Sequence, residues 1–411
     1  MSAPAATRPR VVRKVPRAEG APAAALPRAG FEAFFAPCPR GLEPLLAEDI
    51  AAAGGREVRQ VPGGAEFGGS WETCYRVNLG SRIATRVLWR VAGAGYRSED
   101  DVYRLARQID WPRLFDVRHS IRVHVTAIRS PLKSLEFVTL RVKDAVCDCF
   151  RDAIGQRPNV SAEPDIRIHL FLTAEQATLY ADTSGDALWQ RGHKLAKVAA
   201  PLKENLAAGI LRLSGWQPGV PLLDPMCGSG TFLLEAAGMA LGDAPGLSRD
   251  ERDFGFARLR NYDAVLWKRL RSEAAGRRSA AMAPLPIFGS DLSDDAVARA
   301  SQNLAYAGID DLVTIERADL LLRAAPAASG VLIANPPYGE RLGEADELAA
   351  FYPRLGDALK RNFADWECWL LSADTRLPKL IGLKPKRKIP LFNGPLECRL
   401  YGFDIVSGQH R

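Results

Sequence analysis

The part of this 411-residue chain best equipped for chemistry is a short apolar stretch that ends in two prolines. Residues 330–334 show no polar alternation, which predicts a buried strand, and they are followed by Asn335, Pro336, Pro337 and Tyr338. Each proline lacks an N–H and keeps the preceding residue out of a helix, so the corner is stiff and offers mainly acceptors. The oxygens of Asn335 and Pro336 could accept both hydrogens of a planar amine, and Tyr338 could stack on its ring. Taken alone, the pattern fits an ordinary proline-rich strand end equally well.

A second predicted strand ends in an acid and a glycine-rich loop. The apolar residues 220–223 run into Asp224, and a helix is predicted over 231–241. The loop between them carries Cys227, Gly228, Gly230 and Thr231. Glycines permit close backbone approach, and the start of the helix offers unpaired N–H groups. Because Asp224 would repel a pyrophosphate, the loop suits a cationic ligand such as the amino group and sulfonium of S-adenosylmethionine.

These motifs carry a family resemblance. Residues 224–232 (DPMCGSGTF) and 335–338 (NPPY) resemble the two signature motifs of class I amino-methyltransferases. More narrowly, the chain resembles bacterial 23S rRNA guanine-N2 methyltransferases of the RlmL type over residues 31–405. The strings that carry this are NPPYGERL (335–342), PLKENLAAGIL (201–211), GSD (289–291) and NGPLEC (393–398). NPPY alone also fits adenine-N6 and glutamine-N5 methyltransferases.

The resemblance implies an α/β fold, a seven-stranded, doubly wound, class I Rossmann-like methyltransferase domain. An α+β N-terminal region that contains a THUMP RNA-binding domain would precede it. The expected segments are a basic tail (1–30), an α+β subdomain (31–85), the THUMP domain (86–183), a linker (184–200) and the methyltransferase domain (201–411). A long segment (242–283) is expected to interrupt the compact fold, with a surface helix over 263–275.

Further cofactor residues follow from the predicted strand ends. In a doubly wound sheet, ligands lie outside the carboxyl ends of the strands. Asp291 ends a predicted strand and could accept hydrogen bonds from both ribose hydroxyls. Asp319 could accept from the adenine amine while Leu320 flanks the ring. The resemblance adds Glu204 and Asn205 near the methionine end, although a helix that merely packs on the sheet edge explains these two equally well.

Cys227 raises the separate question of a cysteine nucleophile. Base methyltransferases of that kind attack a pyrimidine carbon with a cysteine from the loop after the fourth strand. Here that loop contains NPPY and no cysteine, so we interpret Cys227 as a small residue that lines the glycine loop.

Basic residues suggest where RNA could dock. Residues 1–30 carry a net charge of +5 of the chain's +7, and they contain too few large apolar side chains to order themselves. Such a tail could add salt-sensitive attraction to phosphates or could be a dispensable extension. Within the domains, two groups of bases are candidates, although each alone could be a solvated charge. They are Arg129, Lys133, Arg141 and Lys143 in the THUMP region and Lys384, Lys386 and Arg387 near the C-terminus.

Composition restricts the remaining possibilities. Seven cysteines without CxxC spacing, together with few histidines, indicate neither a metal site nor a disulfide framework, and we expect a reducing cytoplasm. No apolar run reaches 18 residues, so no membrane partner is expected.

The predicted function is transfer of a methyl group from S-adenosylmethionine to the N2 amine of a guanine in 23S rRNA, with a pre-ribosomal intermediate as partner. The alternatives are a tRNA guanine, adenine N6, protein glutamine, or a non-catalytic RNA-binding assembly factor. Some bacterial relatives continue into a second methyltransferase domain, whose activity we expect to be absent from residues 1–411.

Overall fold

The structure of the protein is a computed structural model that describes residues 30–192, 202–279, 283–336 and 344–406. Within these ranges the chain forms two seven-stranded sheets, one from each half. None of the described helices is both long and apolar enough to cross a bilayer.

The N-terminal sheet is mixed and largely antiparallel. Its strands are β1 (Glu32–Pro37), β2 (Arg56–Val61), β3 (Gly64–Gly69), β4 (Leu88–Gly95), β5 (Ile121–Ala127), β6 (Ile166–Leu172) and β7 (Gln176–Asp182). Its helices are α1 (Glu43–Ala52), α2 (Trp71–Gly80), α3 (Glu99–Arg107), α4 (Trp111–Leu114) and α5 (Leu135–Ile154). The order β2-β3-β1-β4-β7-β6-β5 joins the predicted segments 31–85 and 86–183 into one sheet, because β1 pairs with β4.

The second sheet is the predicted methyltransferase sheet. Its strands are β8 (Leu222–Asp224), β9 (Ile287–Asp291), β10 (Thr314–Arg317), β11 (Gly330–Ala334), β12 (Trp366–Ser372), β13 (Arg387–Asn393) and β14 (Leu396–Asp404). Its helices are α6 (Glu204–Leu213), α7 (Thr231–Ala240), α8 (Ala264–Ala275), α9 (Asp294–Tyr306), α10 (Glu344–Asn362) and α11 (Leu377–Leu380).

The order is β10-β9-β8-β11-β12-β14-β13, with β8 to β12 parallel and β14 antiparallel to β12. The predicted seven-stranded, doubly wound, class I architecture is therefore confirmed.

The expected interruption of the fold by residues 242–283 is wrong. This insertion holds three short 3-10 helices (Pro245–Ser248, Glu251–Asp253 and Gly255–Arg258) and α8. Phe254, Phe256 and Trp267 are fully buried, and the ring centroid of Phe256 lies 4.5 Å from that of Tyr75 in α2. The predicted surface helix is present as α8, and most of its residues are exposed. It also packs through Trp267 against Tyr75 of the N-terminal half, since aromatic side chains of this size bury large areas.

The start of the predicted linker is also part of the packed structure. Thr183 and Ser184 are completely buried, and Phe256 donates its N–H to Thr183 O at 3.0 Å. Gly185 has a φ of +71°, and a Cβ there would come within 2.1 Å of Asp253 O. The insertion therefore holds residues 183–185 in place, so the chain leaves the first sheet along one fixed route.

A buried ion-pair network crosses between the halves. Glu235 of α7 accepts from Arg82 Nη1 at 2.9 Å and from Arg191 Nε at 3.1 Å. Burial opposes the charge on Glu235, but the charges of Arg191 and Arg82 outweigh it and lower the pKa of the carboxyl. Arg82 belongs to the N-terminal half, and Arg191 lies in the segment that follows that half. The carboxylate of Glu235 therefore attaches both arginines to the methyltransferase domain.

We predict that Glu235→Ala lowers the free energy of unfolding by about 3–5 kcal/mol, because it leaves two largely buried guanidinium groups without their counter-charge. Urea denaturation measures the effect. Glu273→Ala is the matched control: its pairs with Arg76 and Arg269 are partly exposed, so it should cost about 1 kcal/mol or less. Equal losses in the two variants would contradict this account.

Candidate functional site

The candidate site lies where the order of the parallel strands reverses. The chain passes from β8 outward through β9 to β10, then returns to place β11 on the other side of β8. Ligands of doubly wound sheets bind at the carboxyl edge of such a switch point. Leu332 of β11 pairs with Leu223 of β8, so Asn335 lies just beyond its strand at the same edge as Asp224. The two predicted motifs are therefore brought together.

Asp224 is the most deeply buried of the carboxyl groups at this edge. It is 2% exposed, and its Oδ1 accepts a hydrogen bond from Met226 N at 3.3 Å. Among the described residues, no arginine or lysine pairs with it. Burial, and secondarily the charge of Asp291, raise the pKa of Asp224 to about 8. The site therefore favours a cationic ligand here, because an ammonium group would restore the charged carboxylate.

The glycine loop leaves open space in front of its backbone. Gly228 and Gly230 have φ angles of +53° and +80°, which favour glycine. A Cβ at Gly228 would meet nothing within 4 Å, whereas one at Gly230 would lie 3.3 Å from Ala300 of α9. Gly228 is thus the point at which a ligand can approach the backbone, and Thr231 is buried at the start of α7.

Asp291 ties the loop to the next strand. Its Oδ2 accepts from Gly228 N and its Oδ1 from Ser293 N, both at 3.0 Å. An ionised carboxylate has about four acceptor positions, so capacity remains for hydroxyl donors. Asp319 follows β10 and accepts from Leu321 N at 2.9 Å, while Leu320 beside it is 4% exposed. These carboxylates follow adjacent strands at the edge that carries Asp224.

The proline corner is described in part. Asn335 is half-buried and Pro336 is buried, and both follow β11 directly. The predicted residues Pro337 and Tyr338 lie outside the described residues.

Cys227 is buried, and burial strongly raises the pKa of its thiol. A protonated thiol is a poor nucleophile, which agrees with its interpretation as a lining residue.

Comparison with known proteins identifies the family. Residues 191–402 match the family described as RMKL-like, methyltransferase domain, which is more than half of the chain. The chain belongs to the RMKL-like methyltransferase domain family. Residues 96–182 match the THUMP domain, and residues 33–88 match the RlmL ferredoxin-like domain.

The similarity to individual relatives extends over nearly the whole chain. It is 43% identical over 91% of its length to "Ribosomal RNA large subunit methyltransferase K/L" of Syntrophotalea carbinolica, but spans about half (54%) of that curated relative. It is 29% identical to the crystal structure of SMU.472, assigned as a methyltransferase and complexed with SAH, with a TM-score of 0.82 over 93% of this chain and 99% of that one. A Listeria monocytogenes structure, described as a predicted N6-adenine-specific DNA methylase, is 28% identical with a TM-score of 0.81, over 91% of this chain and 96% of that one.

Of the helix residues predicted for the cofactor, Glu204 is buried, and Asn205 turns its amide nitrogen to the N-terminal half. Asn205 Nδ2 donates to Ile83 O and Thr85 Oγ1, each at 3.2 Å. It lines a cavity that contains no other residue predicted for the cofactor. The prediction did not anticipate this contact between the two halves of the RMKL-like chain.

The predicted basic residues separate into two kinds. Four of them are exposed and form no ion pair with another described residue: Arg129, Lys133, Lys384 and Arg387. Arg141 pairs with Asp100 at 2.6 Å, Lys143 with Asp144 at 2.7 Å, and Lys386 with Asp404 at 3.0 Å. These ion pairs between side chains reduce the charge that the second group can offer to a partner.

Sequence reasoning missed two residues at the switch point. Asn303 of α9 donates from Nδ2 to Ser229 O at 3.0 Å and so holds the glycine loop. Ser290, next to Asp291, is fully buried, and its Oγ has no hydrogen-bond partner. The only signal in the sequence is a polar residue at a buried position.

Across the described residues, no group of three or more His, Cys, Asp or Glu side chains is arranged to hold a metal ion.

We predict that Asp224→Asn stabilises the ligand-free protein at alkaline pH. A carboxyl whose pKa is raised on folding binds more protons folded than unfolded, so wild-type stability falls as pH rises between the two pKa values. Relative to the variant, wild type should lose up to about 1.4 kcal/mol per pH unit between about pH 4 and about pH 8. Melting temperatures across this range test it, and parallel curves for the two proteins would contradict it.

Proposed function

We propose that this chain transfers a methyl group from S-adenosylmethionine to the exocyclic N2 amine of a guanine in 23S rRNA. The observation that carries the proposal is the placement of Asp224 and Asn335 after neighbouring parallel strands at one switch point. The name of the Syntrophotalea carbinolica relative supports the substrate, and the SAH bound in SMU.472 supports the cofactor.

The residues at the switch point fit this cofactor. Asp224 is buried without a cationic partner among the described residues, so it would hold the amino group. The open space at Gly228 would admit the methionine portion, and Asp291 would accept the ribose hydroxyls with its remaining acceptor positions. Asp319 and Leu320 would contact the adenine, and Cys227, Gly230, Thr231 and Glu204 would line the pocket. When bound, S-adenosylmethionine supplies an electrophilic methyl group on a sulfonium.

The task of the protein is then to position a weak nucleophile. The lone pair of the guanine amine is shared with its ring, which makes the amine a weak nucleophile. Holding the amine in line with the methyl group would therefore supply much of the reduction in activation free energy. Asn335 Oδ1 and Pro336 O would accept the two N–H hydrogens and draw the nitrogen toward a pyramidal shape. Pro337 would stiffen the corner and Tyr338 would stack on the base. The amine needs no base before it attacks, because its proton becomes acidic only after methylation.

The target base must first leave its stack, which costs a few kcal/mol. Basic surfaces on both halves would offset the cost of unstacking by binding the RNA backbone. We assign this role first to the predicted bases that form no ion pair with another described residue, which are Arg129, Lys133, Lys384 and Arg387. Arg141, Lys143 and Lys386 would contribute less, since each is paired with an acid.

Asn335→Ala should lower the methylation rate by about 100-fold or more, because the amine loses one of its two orienting acceptors. Binding of S-adenosylhomocysteine should stay near that of wild type. The measurement is transfer of labelled methyl groups to undermodified 23S rRNA, with Asn362→Ala, at the end of α10, as the matched control. A variant with wild-type turnover would exclude this mechanism.

The same assay separates the remaining substrates. An acceptor corner of this type also fits the amine of adenine, and the Listeria monocytogenes neighbour carries an adenine-specific description. Methylation of tRNA, DNA or protein in preference to 23S rRNA would therefore replace the guanine proposal. Binding of S-adenosylhomocysteine without methylation of any substrate would favour a non-catalytic assembly factor.

A further inference from the structure

A cavity of about 430 Å³ lies between the two halves of the chain. Five segments line it: the loop after β1, the turn between β2 and β3, the segment between α2 and β4, the start of α6 and the turn of the β13–β14 hairpin. The lining residues used below are Arg40, Thr85, Lys203, Asn205, Phe392 and Gly394. Its volume falls within the range of about 300–1,000 Å³ that is usual for small-ligand pockets. We call it the junction cavity.

The junction cavity lies along the same edge of the sheet as the candidate site. Helix α6 leads into β8 and therefore runs opposite to it, which puts the first residues of α6 at the carboxyl edge. Arg399 of β14 pairs with Ser372, the last residue of β12, so the hairpin turn projects beyond the carboxyl end of β12. A substrate that reaches Asn335 thus passes along the edge that carries the cavity.

The lining of the junction cavity suits an anion joined to an aromatic ring. Arg40 and Lys203 are basic, and none of the lining residues is acidic. The guanidinium carbon of Arg40 lies 5.6 Å from the ring centroid of Phe392, and Lys203 Nζ lies 5.3 Å from that of Trp189. Glu43, which is close by in α1, already accepts from the amides of Gly41 and Gly63.

Asn205 packs beneath the lining of the cavity, where it joins the two halves of the chain. Its side chain is fully buried, and Oδ1 has no hydrogen-bond partner. Because Nδ2 is held by Ile83 O and Thr85 Oγ1, the oxygen cannot simply exchange places with the nitrogen. The two hydrogen bonds of Nδ2 therefore fix this wall of the cavity to the N-terminal half.

We propose that the junction cavity binds one nucleotide of single-stranded RNA that neighbours the target base. Its phosphate lies at Arg40 and Lys203, and its base packs against Phe392. The inference rests on the RNA substrate proposed above. Both halves of the chain contribute to this contact, so it couples RNA docking on the N-terminal half to entry of the target base.

Paired variants test the contact. Phe392→Ala should weaken binding of a single-stranded oligoribonucleotide about fivefold, the loss expected for one base–aromatic stack. Arg40→Ala should lower the slope of log affinity against log salt by about 0.7, the value for one phosphate on a single strand. Arg56→Ala, an exposed arginine on β2, is the matched control and should leave both quantities unchanged. Binding of S-adenosylhomocysteine should be unaffected in all three variants.

Photocrosslinking tests the place of the contact without relying on methylation. An oligoribonucleotide containing 4-thiouridine, irradiated with the wild-type protein and mapped by mass spectrometry, should give adducts within residues 38–40, 203–206 or 392–395. Adducts confined to other segments, or no adducts, would overturn the proposal, as would unchanged RNA binding in both variants. A wild-type protein that forms these adducts but methylates no RNA would instead contradict the proposed function alone.

Discussion

The burial of one carboxylate without a counter-charge is the constraint on which the rest of the site depends. Asp224 ends the inner strand β8, the glycine loop follows it, and no described cation pairs with it. Because a buried charge is costly unless it is paired, the carboxyl of the ligand-free protein keeps its proton up to a pKa of about 8. The cost is tolerable if a ligand supplies the cation, and the open space at Gly228 gives that ligand a way to the backbone. Asn335 follows the neighbouring strand β11 at the same edge of the sheet.

A second constraint is the rigid connection between the two sheets. The insertion between α7 and β9 places Phe256 and Trp267 against Tyr75, and Glu235 binds Arg82 and Arg191. One continuous cluster of buried residues therefore includes parts of both halves. RNA held by the N-terminal half would consequently be presented to the switch point in a fixed orientation, and the junction cavity lies between the two.

The strand ends could be predicted from the sequence because their signals are local. An apolar run that stops at an acid or at Asn-Pro-Pro marks its own carboxyl end, and β11 has the predicted bounds. The packing of the insertion could not be predicted, since its partner Tyr75 is nearly 200 residues away in a helix, α2, that was not foreseen. The same holds for Asn205, whose partners Ile83 and Thr85 lie in the other half, and for Arg141, whose partner Asp100 lies on another helix.

The most direct test is the number of protons released when S-adenosylhomocysteine binds, measured by calorimetry at pH 6.5 in buffers of different ionisation enthalpy. In the free protein Asp224 has a pKa of about 8 and is mostly protonated at this pH. An ammonium group beside it would lower that pKa and expel the proton. Our account predicts the release of nearly one proton by wild type and of nearly none by Asp224→Asn. Equal proton release by the two proteins would contradict it.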